Sequence, residues 1–134
     1  MPLFNSPAQG GIVSMSEGAK MILLIIEDNA EMRRMIRSLT ADLADQTFEC
    51  EDGAQALNAY RTLLPDWVTM DIKMKEMDGL AATRFIKAFF PEANILIVTD
   101  YNDAEIREEA RHAGARALVH KENLLQMRQY LGAH

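Results

Sequence analysis

The chain has 134 residues, 49% hydrophobic and 25% charged, which suits one folded domain and excludes both a largely disordered chain and a pair of domains. Lys and Arg number 14 against 20 Asp and Glu, a formal net charge of -6, so the chain as a whole has no electrostatic reason to bind nucleic acid or an anionic membrane surface. No apolar run reaches membrane-span length and the start carries no export signal. The single cysteine, Cys50, lies in an apolar stretch and reads as a buried, reduced thiol, so a cytoplasmic setting is expected.

Residues 1–20 hold Pro2, Pro7, Gly10, Gly11 and Gly18 without sustained periodicity and read as a flexible extension outside the fold. The folded domain is expected over 21–131, with 132–134 as a tail. Ile22 to Ile26 is a continuous apolar run, the pattern of a strand buried on both faces. Asn29 then caps a helix whose apolar stripe is Met32, Met35, Ile36, Leu39 and Leu43, with Arg33, Arg34 and Arg37 off it. The alternation continues with a strand near Thr47 to Cys50, a helix from about Ala54 to Leu63, and a strand from Trp67 to Met70. A third helix near Leu80 to Phe89 stops before Pro91, and a fourth strand covers Ile95 to Val98. A fourth helix follows Asp103 and ends at Gly114, Ala117 to His120 forms the fifth strand, and a last helix runs from about Asn123 to Leu131. Five strands alternating with five helices through short connections require a parallel sheet with right-handed crossovers and helices on both faces.

In such a sheet, ligands bind at the carboxyl ends of the strands beside a switch in strand order. The first strand ends in Glu27-Asp28, the third in Asp71, the fourth in Thr99 and the fifth in Lys121, so three carboxylates, a hydroxyl and an ammonium converge on one edge. Clustered carboxylates repel unless a cation neutralises them, and oxygen ligands at a water-rich edge suit Mg²⁺. Asp28 and Asp71 read as direct ligands and the longer Glu27 as one acting through a water. With the metal in place, the Asp71 carboxylate can attack phosphorus while Lys121 neutralises charge and Thr99 hydrogen-bonds a phosphoryl oxygen.

These residues resemble the two-component response-regulator receiver domains. The resemblance covers 21–131 and rests on Glu27-Asp28 after Ile22-Leu23-Leu24-Ile25-Ile26, on Met70-Asp71-Ile72-Lys73-Met74, on Met77-Asp78-Gly79, on Thr99 and on Lys121, in order and at strand ends. It implies a flavodoxin-like (βα)5 fold of strand order 2-1-3-4-5, Asp71 as phosphoacceptor, and the backbone carbonyl of Lys73 as a further metal ligand. The chain departs from the family pattern at five places. Glu27 replaces the commoner Asp, Lys75 and Glu122 stand where proline is usual, Asp100 where a small residue is usual, and Leu118 where many members carry an aromatic switch residue. A trans peptide bond is expected before Glu122.

The expected function is receipt of a phosphoryl group from a phosphohistidine on a histidine kinase or histidine phosphotransfer protein. Modification is expected to stabilise an inward Thr99, rearrange the helix from Asp103 to Ala113 and change the downstream protein partner. Ending soon after Leu131, the chain reads as a stand-alone regulator or relay intermediate with no fused DNA-binding module, a phosphoacceptor rather than an enzyme. Lys73 and Tyr101, two residues past Asp71 and Thr99, are placed to shield the phosphoryl group from water, while the Asp100 carboxylate would be repelled by it or turn to solvent. The main alternative is a pseudo-receiver that binds partners without phosphate. An aspartyl-phosphate phosphatase is disfavoured, since Lys73 stands where such enzymes carry a second acid. Histidines His112 and His120 receive no role in phosphotransfer.

Overall fold

Three apolar runs form the middle of one sheet, and the two more polar strands form its edges. The computed structural model describes residues 21–101 and 103–132; the extension expected at 1–20 and residues 133–134 lie outside them. The strands are Ile22–Ile26 (β1), Gln46–Cys50 (β2), Trp67–Met70 (β3), Ile95–Thr99 (β4) and Ala117–His120 (β5). Between and after them come the helices Ala30–Leu39 (α1), Ala56–Leu63 (α2), Gly79–Phe89 (α3), Ala104–Ala113 (α4) and Met127–Leu131 (α5). All neighbouring strands pair in parallel in the order β2-β1-β3-β4-β5, the flavodoxin-like arrangement expected.

Burial explains the order. Strands β3 and β4 are buried throughout and β1 nearly so, because helices cover both faces. At the edge, β2 leaves Gln46, Phe48 and Glu49 exposed. Side chains alternate across the sheet, so two cores form. Leu24, Ile26, Met70 and Ile97 pack with Ile86 of α3 and Ala110 of α4 on one face; Leu23, Ile25, Leu96 and Val98 pack with Ile36 of α1 and Met127 and Leu131 of α5 on the other. Cys50 is buried and free, as expected.

Asn29, Asp78 and Asp103 cap α1, α3 and α4, each accepting from the N–H three residues on, and Gly114 closes α4 at φ 103°. Two boundaries differ from expectation. Helix α1 stops at Leu39, with the Thr40 N–H and hydroxyl both turned back to the Ile36 carbonyl. Leu43 therefore joins the core from the following turn, and Met35 is half-exposed. The last helix does not begin at Asn123: Lys121–Gln126 forms 3-10 turns broken at Asn123 (φ -128°, ψ 48°), and α5 starts only at Met127. Its apolar spacing persists because Leu124, Met127 and Leu131 are buried whether the turn between them is tight or regular.

Gly79 decides where α3 begins relative to Asp71. A Cβ at Gly79 would stand 1.8 Å from the Asp71 carbonyl oxygen, and the Gly79 N–H donates to the Ile72 carbonyl at 2.7 Å. Only a residue without a side chain lets the helix start against that backbone.

Candidate functional site

The sheet's strand order reverses between β1 and β3, and the ladder there continues one residue past each strand. Asp71 N–H donates to the Ile26 carbonyl at 2.9 Å and Glu27 N–H to the Cys50 carbonyl at 3.0 Å. These bonds hold Glu27 and Asp71 at the carboxyl edge with little freedom, and Asp28 follows on the exposed side. Carboxylate oxygens of Glu27, Asp28 and Asp71 all lie within 4.8 Å of one another. From β5, the Lys121 ammonium reaches between two of them, 3.1 Å from Glu27 Oε1 and 3.2 Å from Asp71 Oδ1.

Burial dominates the electrostatics of this group. Glu27 is 1% exposed and Asp71 5%. Desolvation, reinforced by the neighbouring Asp71, raises the Glu27 pKa to about 7 despite Lys121. Burial also raises Asp71 above the usual carboxylate range, with Lys121 opposing and Asp28 adding to the rise. Lys121 is pushed down by burial and more strongly up by Asp71 and Glu27, so its net shift is upward and it stays an ammonium. One cation does not offset three acids.

The two oxygens of Glu27 differ. Oε2 accepts from the Asn29 N–H at 3.1 Å, while Oε1 is fully buried, 3.1 Å from the Lys121 ammonium, and has no hydrogen bond of good geometry among the described residues. A buried carboxylate oxygen with an unused lone pair, beside two more carboxylates, is the donor set of a hard divalent cation. The residues present fit such an ion, and an acidic cluster able to hold a metal is thus a property of the molecule.

An open cleft of about 720 Å³ sits over the cluster, walled by Glu27, Asp28, Asp71, Lys121, Lys73 and Asp100, with Lys75 and the methionines Met32, Met35 and Met74 at its sides. The fold therefore brings together six of the residues expected at the site. Thr99 and Tyr101 are not on the cleft wall: Thr99 is buried at the end of β4, and its Oγ1 accepts from the Tyr101 N–H at 3.1 Å. That bond occupies an acceptor lone pair of the hydroxyl and leaves its proton free to donate. Tyr101 is exposed. All described peptide bonds are trans, including the one before Glu122, and Leu118 packs against the α3 and α4 core where the aromatic residue was the family expectation.

Two residues at the site escaped the sequence reading. The Arg33 Nη1 donates to the Glu27 carbonyl at 2.8 Å, bracing the acidic turn from α1. His120 Nε2 lies 2.8 Å from the Asp100 carbonyl oxygen and its Nδ1 accepts from the Glu122 N–H at 3.1 Å. The only sequence hint of the second arrangement was Glu122 itself, which has the backbone N–H that proline lacks.

Comparison with known proteins gives a consistent result. The response regulator receiver domain family model matches residues 23–131. The chemotaxis protein CheY of Bacillus subtilis is 38% identical over 100 residues, 74% of this chain and 83% of the relative. Among solved structures, a two-component response regulator of the LuxR family from Aurantimonas superposes with a TM-score of 0.76 at 27% identity, covering 85% of this chain and 86% of that one. The CheX-CheY-BeF3-Mg²⁺ complex from Borrelia burgdorferi has a chain that superposes with a TM-score of 0.79 over 91% of this chain and 96% of its own; at 19% identity this is a likeness of fold.

Proposed function

The chain belongs to the response regulator receiver domain family of two-component signalling, and from that premise we propose that Asp71 accepts a phosphoryl group from a phosphohistidine. An Asp71 carboxylate oxygen forms the new O–P bond as the P–N bond breaks. The electron pair leaves on the imidazole nitrogen of the donor, which takes up a proton from solvent. Asp71 becomes a mixed anhydride. One observation carries the proposal: Asp71 is buried at the topological switch point with Glu27, Asp28 and Lys121 gathered on it, a charge arrangement unfavourable without a divalent ion and apt for phosphoryl transfer with one.

In this reading Glu27, Asp28, Asp71 and the Lys73 carbonyl would hold Mg²⁺, which would supply positive charge to the phosphoryl oxygens when bound. Lys121 moves its ion pairing from Asp71 to a phosphoryl oxygen, and the free proton of the Thr99 hydroxyl is donated to another. Drawing Thr99 inward carries Asp100 and Tyr101 with it and biases α4, so the readout is a change of downstream protein partner. The Borrelia complex is one with BeF3 and Mg²⁺, and its chain shares this fold, which is support by analogy. The donor is a histidine kinase or a histidine phosphotransfer protein in the cytoplasm, and the chain is a phosphoacceptor that turns over no separate substrate. No helix among the described residues is long and apolar enough to cross a membrane.

The test is to add acetyl phosphate, or beryllium fluoride, with Mg²⁺ and record amide shifts. Changes around Thr99 and α4 in the wild type that vanish in Asp71→Ala are expected; identical spectra for the two proteins would remove the switch. Phosphoryl lifetime offers a finer check, because Tyr101 is exposed beside the site: Tyr101→Ala should speed decay of the phosphorylated chain, and an unchanged rate counts against shielding.

A second reading, a pseudo-receiver that binds partners without phosphate, draws on one observation. Asp100 lines the cleft and would repel an incoming phosphoryl group. Saturable Mg²⁺ binding that weakens in Asp28→Asn favours the phosphoacceptor, and its absence favours the pseudo-receiver.

A further inference from the structure

One imidazole joins the loop after β4 to the turn after β5. The partners of His120 are both backbone groups, and each dictates what the ring must do. The Asp100 carbonyl, 2.8 Å from Nε2, can only accept; the Glu122 N–H, 3.1 Å from Nδ1, can only donate. The ring is therefore the neutral tautomer with its proton on Nε2. Each bond lands one residue from a donor proposed to face the phosphoryl group, Asp100 next to Thr99 and Glu122 next to Lys121.

The loop side of this bridge is closed on itself. With the Tyr101 N–H bonded to Thr99 Oγ1, residues Thr99 to Tyr101 form a tight turn whose middle carbonyl is the one His120 holds. Shifting that carbonyl shifts the hydroxyl. On the other side, the Glu122 N–H is one of the otherwise unpaired donors at the start of the 3-10 turn that carries Lys121, so the ring also caps that turn. Two departures from the family pattern thus meet in one structure. Residue 122 must have an N–H, which a proline would not supply, and the Asp100 side chain is left free because only its carbonyl is used.

We propose that His120 is a positioning residue for phosphoryl acceptance at Asp71. It holds the Thr99 hydroxyl and the Lys121 ammonium in one frame, so both donors are aligned before the phosphoryl group arrives. The inference rests on the phosphoacceptor reading and adds to it the element that registers two separate strands of the site. His120 itself touches neither Asp71 nor the acidic cluster through any hydrogen bond described, so its effect is exerted through the two backbone segments.

The experiment measures the rate of Asp71 labelling by acetyl phosphate with saturating Mg²⁺ in the wild type, His120→Ala, His120→Gln and Glu122→Pro. Long-range ¹H–¹⁵N spectra of the wild-type imidazoles are recorded alongside. The wild-type ring should show its proton on Nε2. His120→Ala should label about three- to tenfold more slowly, since only part of the free energy of two lost neutral hydrogen bonds reaches the reacting groups through the backbone. A glutamine offers an amide oxygen to the Glu122 N–H and an amide N–H to the Asp100 carbonyl, so His120→Gln should recover most of the rate, which a merely space-filling role would not predict. Glu122→Pro, which leaves the ring in place but deletes one of its partners, should fall between wild type and His120→Ala. Equal rates in wild type and His120→Ala, no recovery with glutamine, or a proton on Nδ1 would each overturn the positioning role alone. A wild-type chain that takes no label would instead overturn the phosphoacceptor reading, and this inference with it.

Discussion

Two ion triads flank β1, and they are charge inverses. On the β2 side, Glu49 lies between two cations, 3.0 Å from Arg33 and 2.7 Å from Arg37. On the β3 side, Lys121 lies between two acids, Glu27 and Asp71. The outer triad is more open to solvent: the Glu49 side chain is 29% exposed and Arg37 46%, with Arg33, at 15%, the most covered member. Modest burial works to raise the Glu49 pKa, but the two guanidiniums outweigh it and the carboxyl ends below its usual range. In the inner triad burial wins, and Glu27 moves the other way, to about 7. Similar pairing distances therefore yield a comfortable surface ion cluster in one place and a charge-frustrated site in the other. The difference is solvent access and the count of cations per acid. Arg33 touches both, since its Nη1 also holds the Glu27 carbonyl.

The largest test of this contrast is the pH dependence of stability without divalent metal. A carboxyl whose folded pKa lies above its unfolded value binds its proton more tightly when folded, so its contribution favours the fold at low pH and is lost as pH rises. For Glu27 that window runs from 4.5 to about 7, and the loss is on the order of 3 kcal/mol, with Asp71 shifted in the same direction. Urea unfolding in chelator should therefore give lower stability at pH 8 than at pH 5, and Glu27→Gln should flatten the slope. The acids with lowered values, such as Glu49, act below this window. A metal-free protein that gains stability from pH 5 to 8 would erase the distinction between the triads.

Next in size is metal affinity. Asp28→Asn removes an exposed carboxylate from the cluster and should weaken Mg²⁺ binding roughly tenfold or more by calorimetry. Arg37→Ala, which leaves the Arg33 brace on Glu27 in place, should leave that affinity unchanged. The smallest effect is on the surface side: Glu49→Ala should cost about 0.5–1 kcal/mol, shrinking as salt is added. A larger, salt-insensitive loss would mean that the outer triad behaves as a buried one.

The sequence disclosed the inner triad better than the outer. Glu27, Asp71 and Lys121 each follow directly on a strand, and parallel topology brings such strand ends to one edge. Arg33 and Arg37 were legible only as residues off an apolar stripe. Their partner Glu49 comes from a different element, and periodicity says nothing about that. His120 was hidden for a related reason: alternation gives the face of a strand residue, but its partners are backbone groups that every sequence possesses. The start of the last helix was misplaced because Leu124, Met127 and Leu131 keep helical spacing across the change from 3-10 turn to α-helix between Gln126 and Met127.

The seat of α3 against Asp71 has a mechanical consequence. With no side chain at Gly79, the helix end rests directly on the peptide of the residue that would be modified, and it is anchored there through Ile72. Strain created at Asp71 finds a stiff abutment on that flank. Displacement is therefore steered away from α3, toward Thr99 and the exposed residues Asp100, Tyr101 and Asp103 that precede α4.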